Sequence, residues 1–112
     1  MQKIRISGIS RYVKIGFDEE RKRRTRVEVD VEMDYDFSKT IEEDNPVIDY
    51  RIICDIVNDV LDKGYRTIEK ICYEIFNNIN GKINPEHLKV KVRKKNPPLK
   101  NETFFAEAEI EK

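Results

Sequence analysis

From Val27 to Phe37 apolar and acidic residues alternate without a break: Val27, Val29, Val31, Met33, Tyr35 and Phe37 on one side, Glu28, Asp30, Glu32, Asp34 and Asp36 on the other. A period of two is what a strand with one buried and one wet face requires. A second alternation, Leu88-Lys89-Val90-Lys91-Val92-Arg93, is basic on its wet side. A third, Phe104-Phe105-Ala106-Glu107-Ala108-Glu109-Ile110-Glu111, is acidic there again, Phe105 excepted. The short run Lys3-Ile4-Arg5-Ile6 is basic. In chain order the wet faces read basic, acidic, basic, acidic. If sequential strands pair, each acidic row lies beside a basic one, and opposite-charge cross-strand pairs contribute roughly 0.2–1 kcal/mol each.

Between the strand pairs the period changes. Ile52, Ile53, Ile56, Val57, Val60 and Leu61 form a helical stripe, with Asn45-Pro46 as a candidate start and Gly64 as a stop. Ile68, Ile71, Cys72, Ile75, Phe76 and Ile79 form a second, with Thr67 as a candidate N-cap and Gly81 just past its end. Asn96-Pro97-Pro98 supplies a turn between the last two strands. The pattern predicts a ββααββ order in the α+β class: a four-stranded antiparallel sheet with two helices on one face, over a single domain spanning residues 1–112. Such a sheet leaves its edge strands open, a hazard that pairing with further copies into a closed barrel would remove.

Composition adds constraints. Charged residues make up 39% of the 112, yet the net charge is zero, so no global field favours nucleic acid or an anionic membrane. The start Met1-Gln2-Lys3-Ile4-Arg5-Ile6 lacks the apolar run of a signal peptide, and no stretch reaches membrane-spanning length, which points to a cytoplasmic protein. Cys54 and Cys72 match no metal or redox spacing and read as reduced thiols. With His87 the only histidine, a His-rich zinc site is out of reach.

A few residues break the pattern. Lys94 falls in register with Leu88, Val90 and Val92, on the face that should meet the helices. Either the strand ends there and the side chain snorkels out, or a cation is held at the end of the core. Glu69 stands in the first turn of the second helix, where an acid ordinarily complements the dipole. Tyr50, near the start of the first helix, would usually be a packing aromatic. The loop Asp18-Glu19-Glu20-Arg21-Lys22-Arg23-Arg24-Thr25-Arg26 reads as a solvated hairpin tip whose basic half could otherwise meet phosphate or RNA.

Together these segments resemble the dihydroneopterin aldolase family, a branch of the tunnelling-fold superfamily. The resemblance runs along nearly the whole chain: Ile15-Gly16-Phe17-Asp18-Glu19-Glu20 before the second strand, Asp44 and Ile48-Asp49-Tyr50 before the first helix, Thr67-Ile68-Glu69-Lys70 at the second, and Lys94-Lys95-Asn96-Pro97-Pro98-Leu99 at the turn, the most specific piece. It implies retro-aldol cleavage of 7,8-dihydroneopterin in folate biosynthesis, with no metal or cofactor, at sites between subunits of a homo-oligomer, a tetramer or octamer closed as a β-barrel. It also implies residue roles. Glu69 would anchor the pterin ring, with backbone at Ile68 beside it. Lys94 and Tyr50 would exchange protons, Tyr50 arriving from a neighbouring subunit. Glu20, or Glu19 in a loop one residue shorter than usual, would meet the hydroxylated side chain. Lys14-Ile15 stands where many members carry His-Gly, and the segments around Asp44–Tyr50 and Lys63-Gly64 are shorter than the family's pattern. A related epimerase acting on dihydroneopterin or its triphosphate, for which Arg21 to Arg26 could hold the phosphates, and a pterin-binding module without turnover are the alternatives. The zinc-dependent sister enzymes lack their ligands here.

Overall fold

The computed structural model describes residues 1–17, 23–45, 48–97 and 99–112. Its elements, in chain order, are β1 (Lys3–Val13), β2 (Thr25–Asp34), α1 (Ser38–Glu43), α2 (Tyr50–Asp62), α3 (Ile68–Lys82), β3 (Leu88–Lys95) and β4 (Phe105–Glu111). The strands form one antiparallel sheet in the order β1-β2-β3-β4. Helix α3 packs on β3 and β4, while α2 packs on α3 and reaches β1, so both long helices lie over the same face. The core between the layers is built from the residues of the two periodic patterns: Val27, Val29, Val31 and Met33 from β2, Leu88, Val90 and Val92 from β3, and Ile53, Val57, Ile71, Ile75 and Ile79 from the helices. Inside it the Cys72 thiol donates to the Val90 carbonyl at 3.3 Å, and burial pushes its pKa up to about 11, which keeps it protonated and unreactive.

Four expectations need correction. A third, six-residue helix, α1, stands between β2 and α2; it buries no residue and so leaves no apolar stripe to read. The first strand is eleven residues long, not four, because a bulge interrupts its alternation: Ile6 pairs with Val31 but Ile9 with Val29. Helix α2 is capped by Asp49, whose side chain accepts from the Arg51 amide, and not by Asn45. Gly81 lies inside the last turn of α3, which closes at Lys82. Thr67 does cap α3, accepting from the Lys70 amide at 3.1 Å.

The bulge is built by two groups. Gly8 has φ +74°, and its amide donates to the Asp30 carboxylate at 2.8 Å. A Cβ at Gly8 would meet nothing within 4 Å, so only its backbone conformation resists substitution. Gly8→Ala is therefore expected to cost about 1–2 kcal/mol in urea denaturation; an unchanged midpoint would mean that the bulge relaxes freely.

The other face of the sheet is a lattice of charge. The register sets Arg5 and Lys89 on either side of Glu32, Lys91 beside Asp30, and Arg93 beside Glu28 and Glu107. Arg93 forks onto Asp30 at 2.6 and 3.0 Å. Glu32 is the one buried charged side chain among the described residues. His87 Nε2 lies 2.7 Å from it and Arg5 Nε donates at 2.6 Å, with Lys3 and Lys89 Nζ at 3.7 and 3.8 Å. The His87 hydrogen bond first, then Arg5 and the two lysines, outweigh burial and hold the Glu32 carboxyl at about 2 against an ordinary 4.5. Because the folded-state value lies below the unfolded one, this stabilisation is complete above pH 4.5 and drains away as pH falls towards 2. We expect Glu32→Gln to lose at most about 3 kcal/mol at neutral pH. Its acid limb should also be flatter than that of the unaltered chain, as read by denaturation at stepped pH; parallel limbs would remove Glu32 as the source.

Candidate functional site

At the end of the sheet where β3 closes, three loops and the start of α3 surround a cleft of about 370 Å3. Ile15, Gly16 and Phe17 follow β1; Arg66, Thr67, Ile68 and Glu69 lead into α3; Lys94, Pro97 and Leu99 come from the end of β3 and its turn; and Ala106 comes from β4. Local chemistry fixes each wall. The Gly16 amide, at φ +89°, donates to the Arg66 carbonyl at 2.7 Å and ties the end of β1 to the α2–α3 connection. The Arg66 guanidinium lies over the Phe17 ring, 5.5 Å from its centre. The Thr67 cap sets the first turn of α3 so that Ile68 is buried and Glu69 exposed to the cleft. Asn96 turns the chain at φ +48°, and its amide donates to the Phe104 carbonyl at 3.0 Å, which closes the β3–β4 connection.

Lys94 does continue the inward register: it stands opposite Val27 on β2 and Ala106 on β4, half-buried after the fully buried Val92. The strand thus carries a cation to the edge of the core, where the cleft also holds the Glu69 carboxylate. One ammonium and one carboxylate converging on a partly apolar hollow is the usual make-up of a small-molecule site. Of the other expected residues, Tyr50 opens α2, is 46% exposed and does not line this cleft. Glu20, like Glu19, lies outside the described residues.

No curated protein matches the chain by sequence. Residues 4–111, however, match the dihydroneopterin aldolase family. The chain belongs to that family. Solved structures agree in fold. A candidate dihydroneopterin aldolase from Vibrio cholerae superposes with a TM-score of 0.83 at 19% identity, covering 100% of this chain and 98% of the other. The Escherichia coli dihydroneopterin aldolase, solved in complex with neopterin, gives 0.78 at 19% identity over 98% and 99%. A Burkholderia dihydroneopterin aldolase bound to guanine gives 0.78 at 16% identity over 99% and 89%.

Within the dihydroneopterin aldolase family frame, the cleft also contains a residue that no pattern in the sequence singles out. Arg66 carries no periodic signal; it sits in the α2–α3 connection, and the Gly16–Arg66 hydrogen bond and its contact with the Phe17 ring bring it to the cleft. Elsewhere, Glu32, His87 and Glu111 place ligand-type atoms within 4.8 Å of one another, a geometry that could hold a metal ion. They lie on the charged face of the sheet, and Glu32 is already matched there by Lys3, Arg5 and Lys89. A hollow of about 250 Å3 on the same face is lined by Arg5, Asp30, Glu32, Lys89 and Lys91, of which Arg5 and Lys89 pair with Glu32. No helix among the described residues is long and apolar enough to cross a membrane.

Proposed function

We propose that the cleft binds 7,8-dihydroneopterin and cleaves it to 6-hydroxymethyl-7,8-dihydropterin and glycolaldehyde. The observation that carries this reading is the meeting of Glu69 and Lys94 in one cleft of a chain belonging to this family. A carboxylate can accept two parallel N–H bonds from the amino-pyrimidinone edge of a pterin, and charge-assisted bonds of that kind fix orientation as well as affinity. The neopterin and guanine bound by the Escherichia coli and Burkholderia relatives present that same donor edge.

The reaction needs modest help. A base takes the proton of the 2′-hydroxyl, the C1′–C2′ bond breaks, and glycolaldehyde leaves. The electron pair left at C1′ forms a C1′=C6 double bond while the N5=C6 pair takes up a proton at N5; protonation at C1′ with loss of that N5 proton then restores N5=C6. The ring serves as its own electron sink. In our assignment the Lys94 ammonium faces N5 and, with Tyr50, moves protons through water; Glu20 contacts the hydroxylated side chain, and Ile68 backbone the ring. No metal or cofactor enters these steps.

Since Tyr50 does not line the cleft of its own chain, we assign it to the cleft of a neighbouring copy. Two features support self-association. Both edge strands, β1 and β4, are open, and Ile4, Ile6, Ile9, Ala106, Ala108 and Ile110 along them are only partly covered by the helix layer. The radius of gyration is 15.5 Å, against about 13 Å for a compact chain of this length. Pairing edges around a ring would close a barrel of four subunits, or eight if rings stack, in the cytoplasm. Mixing inactive Lys94→Ala and Tyr50→Phe chains tests the shared site: partial recovery of turnover in mixed oligomers is expected, and a mixture as silent as its parents would place Tyr50 outside the reaction.

A further inference from the structure

On the opposite side of β3 from Lys94, a second hollow of about 410 Å3 is lined by Tyr12, Arg23, Arg24, Thr25, Arg26, Lys95 and Asn96. Its volume falls within the roughly 300–1,000 Å3 of small-molecule sites. Among the described residues four cations line it and no carboxylate does. The fold collects them: pairing of Tyr12 with Arg26 and of Val27 with Lys94 brings the end of β1, the start of β2 and the end of β3 together. Arg24 is held by donating to the Tyr12 carbonyl at 3.2 Å. The Glu28 carboxylate is divided among Lys95, Arg93 and Arg26 at 3.2, 3.6 and 3.8 Å. Arg23 forms no ion pair among the described residues and is exposed. Elsewhere on this face the cations meet acidic neighbours across the strands, as Lys91 meets Glu109 and Arg93 meets Asp30. Here, among the described residues, they outnumber them.

We propose that this hollow is an oligophosphate site, distinct from the pterin cleft. Guanidinium forks match phosphate oxygens two at a time, and Thr25, Tyr12 and Asn96, which also line the hollow, are residue types that can add neutral donors. A concave hollow bounded by three strand ends suits a compact run of phosphates rather than the extended backbone of a nucleic acid. The ligand is either the phosphorylated side chain of a pterin or a separate phosphorylated metabolite.

Calorimetry of the full chain with inorganic triphosphate at physiological salt reads this site whether or not the chain cleaves a pterin. One saturable site per chain is expected. Its affinity should fall at least about tenfold, equivalent to about 1.4 kcal/mol, in Arg23→Ser/Arg24→Ser and remain unchanged in Lys39→Ser, an exposed cation on α1. Arg23→Ser alone keeps the test readable if the double variant misfolds. Absence of saturable binding, an equal loss in Lys39→Ser, or displacement by single-stranded RNA with a steep salt dependence would overturn the proposal. A second arm separates the two sources and rests on the aldolase reading. If the site takes the tail of the substrate, inorganic triphosphate raises the KM of a phosphorylated dihydroneopterin and not that of dihydroneopterin. If the ligand is a separate metabolite, neither KM moves while binding persists.

Discussion

Lys94→Ala is expected to lower kcat for dihydroneopterin about 10²–10⁴-fold, the range for loss of a positioned proton-transfer group, with a much smaller change in pterin affinity. The split matters because Lys94 stands between Val27 and Ala106 at the end of the core. A purely structural lysine there would lower stability and leave the kcat of the folded fraction intact. Thermal unfolding and stopped-assay kinetics on the same preparation separate the two outcomes. Lys94→Arg is not expected to rescue, since a guanidinium holds its proton too tightly and is planar where the ammonium is compact. Full turnover in Lys94→Ala would remove this residue from the mechanism.

The complementary variant is Glu69→Gln. Replacing an acceptor-only carboxylate with an amide that donates from one of its two positions breaks the match to paired N–H donors. Loss of a charge-assisted bond is worth roughly 1.5–3 kcal/mol, so neopterin should bind on the order of 10- to 100-fold more weakly, as read by fluorescence titration. Because Glu69 is exposed in the first turn of α3, its removal also loses a helix-terminus interaction of about 0.3–1 kcal/mol. A variant that loses only that stability and keeps its neopterin affinity would reduce Glu69 to a dipole-stabilising acid.

What could be read in advance follows from where the physics is local. The alternation of β2 and β3 and the stripes of α2 and α3 are visible because each buries one side, and the Thr67 cap is a contact between near neighbours in sequence. The charge order of the strands anticipates their pairing because each wet row is uniform in sign. The features that escaped notice lack such signals. Helix α1 buries nothing; the second half of β1 is masked by the bulge at Gly8; Asp49 caps α2 in a segment where Asn45-Pro46 looks equally suitable. In the cleft, Lys94 is legible as a lysine on an apolar face, whereas Arg66 is brought in by tertiary contacts with Gly16 and Phe17 that no periodicity announces.

The most direct measurement is anaerobic incubation of the purified chain with 7,8-dihydroneopterin, followed by chromatographic separation of the pterins and quantitation of aldehyde. Equal amounts of 6-hydroxymethyl-7,8-dihydropterin and glycolaldehyde are expected, formed in step with loss of substrate. Substrate recovered intact, or converted to its 2′-epimer without free glycolaldehyde, would contradict the assignment of cleavage to this cleft.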